Sequence, residues 1–104
     1  MRDDSVIRLQ DAAEALLVQL RMGQGLDEVA LGRLEVALDE FAVAWRTEAM
    51  IPKSAASVLA ELWPALDSSS YLYPDERADR IRDQAVHLSD RVAQCFVEPG
   101  SSDN

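Results

Sequence analysis

The residues able to do chemistry are few in this chain. One histidine and one cysteine stand among nineteen acidic side chains. Asp83 and His87 sit at i,i+4 spacing on one helix face and would offer two metal ligands. Protein metal sites use three or four, so a solvated Asp–His pair is the simpler expectation. The Glu-x-x-His pairs of metal-binding bundles do not occur. Glu35, Asp39, Glu40 and Glu61 imitate part of a Mg²⁺-holding carboxylate cluster. Helical spacing turns Glu40 roughly opposite the main apolar stripe of its helix, so these acids are not expected to converge. A Gly-rich phosphate loop, a GxSxG elbow and an HExxH motif are all missing from the sequence. Cys95 shares an apolar stripe with Leu88 and Val92, the setting of an inert buried thiol. His87 lies too far along the helix to activate it. The expectation is therefore no catalytic residue, no metal site and no cofactor.

Three other groupings have the character of contact surfaces. Val29, Val36, Val43 and Met50 recur at heptad spacing, on a line nearly opposite the Leu34–Phe41–Trp45 stripe of the same helix. Gly32 beside them would let another backbone approach. An isolated bundle normally presents polar residues there. Either the helix is central and covered on both sides by its own chain, or a partner covers the valines. Few helices are available to wrap one of their number, which favours a partner, and a two-fold homodimer is the commonest solution. The second grouping is a basic line in an acidic protein: Arg77, Arg80, His87 and Arg91, with Gln84 among them. These residues either pair with Glu28, Glu35 and Asp39 on a neighbouring helix or form a stripe for an anion or acidic partner. The third is the loop Tyr71, Leu72 and Tyr73, which either meets a partner or folds back over the bundle end near Trp63. A ligand cavity among Trp45, Trp63 and these tyrosines is the alternative use of the aromatic residues.

Four helical segments would have to position these groups. The first runs from about Ser5 to Met22, capped by Asp4 or Ser5, with Val6, Leu9, Ala13, Leu16 and Leu20 as its apolar stripe. Gly23-Gln24-Gly25 ends it. Asp27 caps the second, which should run to about Ala49 before Pro52. The third opens at Ser54, and Pro64 either stops it at Trp63 or kinks it. Pro74, Asp75 and Glu76 suit the first turn of the fourth, whose stripe is Ala78, Ile81, Ala85, Leu88, Val92 and Cys95. The spacing predicts an all-α protein, an antiparallel four-helix bundle with a third helix that is short and interrupted near Pro64. Residues 1–98 form the single domain and residues 99–104 a flexible C-terminal tail.

A chain of 104 residues, 48% hydrophobic, has material for one core. A net charge of −9 repels nucleic-acid backbones and anionic membranes, so neither is an expected partner. No apolar run reaches the ~18 residues of a membrane span, and the acidic N-terminus lacks a signal-peptide pattern, which points to a cytoplasmic protein. Arginine used almost to the exclusion of lysine, together with abundant alanine, has the bias of a GC-rich bacterial genome. The functional expectation is a non-catalytic acidic helical interaction module of the inhibitor, immunity or adaptor type, self-associating as a homodimer. A small-ligand-sensing bundle is the second expectation and a carboxylate-dependent metal enzyme the third.

Overall fold

The computed structural model describes residues 2–97 as four helices: α1 (Arg2–Arg21), α2 (Glu28–Ala44), α3 (Lys53–Ser70) and α4 (Asp75–Gln94). The tail expected at residues 99–104 lies outside the described residues. Every helix directs one apolar stripe inward, and together these make a single core centred on Leu9, Leu16, Leu34, Phe41, Leu62, Leu66, Ile81 and Leu88. Among the described residues no helix is long and apolar enough to cross a membrane.

The all-α bundle expected from periodicity is what the chain forms. Its two hairpins, α1–α2 and α3–α4, are antiparallel, and α1 also packs on α3 while α2 packs on α4. Polar contacts fix the relative sense of the hairpins. Tyr73, at the start of α4, reaches Leu20 at the end of α1, and Arg80 and Arg91 meet Glu28 and Asp39 in matching order along α2. So α3 runs parallel to α1 and α4 parallel to α2. The connection from Trp45 to Pro52 crosses one end of the bundle diagonally, and both tight turns lie at the other end.

Local chemistry explains the helix limits, including three that differ from the periodic pattern. Asp27 caps α2 as expected, its Oδ1 accepting from the Val29 N–H at 2.9 Å. Gly23 and Gly25 take the left-handed φ values of +76° and +86° that end α1. However, α1 begins at Arg2, and Ser5 is a buried residue one turn inside it rather than its cap. The Ser5 hydroxyl donates to the Arg2 carbonyl at 2.5 Å and accepts from the Trp45 indole N–H at 3.2 Å. The same indole, stacked on Phe41, explains why α2 stops at Ala44, short of Ala49: Trp45 turns the chain to reach Ser5. The largest correction concerns α3, which is neither short nor interrupted. Pro64 sits inside a helix that continues to Ser70. Proline removes the bond to the carbonyl of Ala60, and both residues are on the exposed side, so the freed acceptor is not buried in the core.

Candidate interaction surface on the first hairpin

α2 is covered by α1 on one flank and by α4 on the other, which leaves its outer side open. Val29, Val36 and Val43 lie there with 62%, 57% and 62% of their surface exposed, so the chain does not wrap this stripe itself. Met50 is barer still but belongs to the connection after α2, so the helical stripe ends at Val43. Beside the valines runs an open groove of about 890 Å³ between α1 and α2. Ala12, Ala15 and Gly32 keep its floor low, and Val29 and Val36 form one wall. Four charges lie on its rim. Arg8 donates through Nε to Glu40 at 3.0 Å and closes one end. Asp11 on α1 and Arg33 on α2 have no ion-pair partner among the described residues.

Gly32 is in the middle of a helix, with an ordinary negative φ, and beyond its chain neighbours and the backbone of its own helix nothing lies within 4 Å of where a Cβ would stand. Neither backbone geometry nor packing within the chain calls for glycine at this position. The α1 side of the groove (Asp11, Ala12, Ala15) is not evident from α2 alone. Its signal is the heptad line Arg8, Ala15, Met22, which becomes meaningful only once α1 is known to lie beside the valines.

Two members of the basic line, Arg80 and Arg91, are engaged within the chain. Arg80 pairs with Glu28. Arg91 donates to Asp39 at 2.6 Å and lies 3.9 Å from Glu35. The hydrogen bond to Asp39 is the main reason the Arg91 guanidinium holds its proton above its usual range, with the charges of Asp39 and Glu35 adding to it and burial opposing. Arg77 and His87 are exposed on the same face. These pairs are the α2–α4 contacts expected from the two flanking lines, and they align the parallel helices.

The tyrosine loop divides. Tyr71 and Leu72 point outward, at 77% and 59% exposed. Tyr73 is buried: its hydroxyl donates to the Leu20 carbonyl at 2.8 Å and accepts from the Gly25 N–H at 2.8 Å. It ties the two hairpin turns together and is not a contact residue. Trp45 lies at the opposite end of the bundle against Ser5, and Trp63 is half-exposed on α3, so the aromatic residues do not surround a common cavity.

The acidic residues also separate. Glu35 and Asp39 face Arg91, Glu40 faces Arg8, and Glu61 borders α1 from α3. Among the described residues no three His, Cys, Asp or Glu side chains gather as metal ligands. Cys95 is buried, with its thiol directed at the carbonyls of Leu38 and Arg91. Burial, reinforced by the charge of Asp39, pushes its pKa up to about 11, far from the range of a nucleophilic thiolate.

Fold and surface together define a four-helix bundle with one open, apolar hairpin face. Among known proteins, no family model, curated protein or solved structure matches the chain.

Proposed function

We propose that this protein is a non-catalytic helical interaction module that acts by docking the outer face of its first hairpin onto another polypeptide. The observation that carries this reading is the line Val29, Val36 and Val43, left exposed along a folded helix beside an open groove. Contiguous apolar surface of this kind, rimmed by charge, is what protein contact sites present and what isolated bundles lack. An inhibitor, immunity or adaptor role in the cytoplasm suits such a module. Val36→Glu tests the reading. With its side chain already outside the core, the variant should keep the helical content and cooperative melting of the wild type while losing association. Unfolding would assign Val36 to the core. A thermal-shift screen against metals, nucleotides and small acids should be silent, and one strongly stabilising ligand would replace this reading with a sensing or metal-dependent one.

A further inference from the structure

The open face carries information about its occupant in its charges. The chain as a whole is at −9, a bias that elsewhere would favour a basic partner. The groove does not share it: Arg8 and Arg33 balance Asp11 and Glu40. A basic protein finds no excess of negative charge here, whereas a surface with the same balance fits. Two of the four charges, Asp11 and Arg33, are unpaired, of opposite sign and on opposite walls. A two-fold axis requires that if residue i touches residue j, then j touches i, so one unpaired acid and one unpaired base make a patch self-complementary.

The register supports the same conclusion. Arg8 meets Glu40 across the antiparallel hairpin. Counting inward from that contact, Ala12 comes level with Val36, with Asp11 displaced toward the Glu40 end and Arg33 toward the turn. A two-fold axis lying in the face, between α1 and α2 and parallel to them, lays each α1 on the partner's α2, and Asp11 then stands about one helical turn, ~6 Å, along from the partner's Arg33, within the span of an arginine side chain. It also carries each Val36 over Ala12 of the other copy, about one turn from Ala15. Gly32, with nothing of its own chain above it, gives the partner's α1 room to approach.

We infer that the occupant is a second copy of this chain, docked hairpin to hairpin about a two-fold axis, with Asp11 of each copy paired to the partner's Arg33. This inference rests on the hairpin face being a docking surface. Helices of about 25–30 Å laid side by side over about 20 Å give a footprint of about 500–600 Å², which reaches the lower bound of stable interfaces, roughly 600 Å² per partner.

The test is charge reversal followed by sedimentation, from about 1 μM to about 1 mM, on wild type, Asp11→Arg and Arg33→Asp. Both side chains lie on the exposed rim, and circular dichroism checks that each variant is folded. The wild type should reach the mass of two chains. Each variant alone places like charges at both contacts and should associate at least ~10-fold more weakly. An equimolar mixture of the two variants restores opposite charges at both contacts and should recover the dimer. A wild type at the mass of one chain throughout overturns the pairing while leaving the interaction-module reading to its own tests. A wild-type dimer unaffected by either reversal, or a mixture no stronger than its components, overturns this register and this partner contact.

Discussion

Replacing Gly32 with alanine separates what the chain needs from what its partner needs. Glycine in a helix interior costs about 0.8–1 kcal/mol relative to alanine. Beyond its chain neighbours and its own helix backbone the added methyl meets no atom within 4 Å, and φ is not in the left-handed region, so no clash or strain offsets that gain. Gly32→Ala should therefore stabilise the single chain by about 1 kcal/mol, raising its melting temperature by roughly 4–8 °C for a domain of this size. Association should move the other way. In the proposed dimer two new methyls would enter the contact, and overpacking of that kind costs about 1–3 kcal/mol, or roughly 5- to 150-fold in dissociation constant. The assay is thermal denaturation by circular dichroism at a concentration at which sedimentation gives the mass of one chain, together with sedimentation equilibrium at high concentration. The two must be separated because dimerisation itself raises the apparent melting temperature. A less stable monomer would mean that Gly32 serves the chain's own fold. A more stable monomer that associates as well as the wild type would mean that nothing occupies the space above Gly32.

Other residues lend themselves to similar tests. Tyr73→Phe removes a hydroxyl that satisfies both the Leu20 carbonyl and the Gly25 N–H in a buried setting. Urea denaturation should show a loss of about 1.5–3 kcal/mol, and a loss below 0.5 kcal/mol would mean that water replaces both bonds. Cys95 makes the fold sensitive to alkali. Burial holds its folded pKa at about 11, above the ordinary thiol value of 9.0, so its contribution is complete below pH 9 and is lost as pH rises from about 9 through about 11. That loss is about 2–3 kcal/mol, and Cys95→Ala should flatten this part of the stability–pH curve relative to wild type.

Much of the bundle was legible because its signals are local. Asp27 caps α2 through its own neighbour's N–H, the glycines end α1 by their backbone freedom, and the inward stripes follow from helical periodicity. The exposed valines were legible for the same reason, since heptad spacing alone places them opposite the core stripe. What escaped depended on tertiary neighbours. Pro64 reads as a helix breaker unless Ala60, its carbonyl partner, is known to lie on the exposed side. Ser5 reads as a cap until Trp45 is found across the bundle end. Tyr73 reads as a surface aromatic, because nothing near it in sequence shows that both of its hydrogen-bond partners come from the α1–α2 turn. Asp11, Ala12 and Ala15 gain meaning only from the α1–α2 pairing.

The parallel alignment of the two hairpins has a consequence for how the molecule assembles in time. Each hairpin joins helices adjacent in sequence through a short turn, so its contacts form with little loop-closure entropy. The α1–α3 and α2–α4 contacts join distant segments and must await the diagonal swing of the chain from Trp45 to Pro52. The Tyr73 hydrogen bonds bridge the two turns and close only when both hairpins are in place. The expected order is hairpins first, docking next and the tyrosine last. Loss of the Tyr73 hydroxyl would then appear in the unfolding rate, with refolding almost unchanged. In kinetic terms, Tyr73 acts as a latch that sets how long the folded bundle lasts rather than how fast it forms.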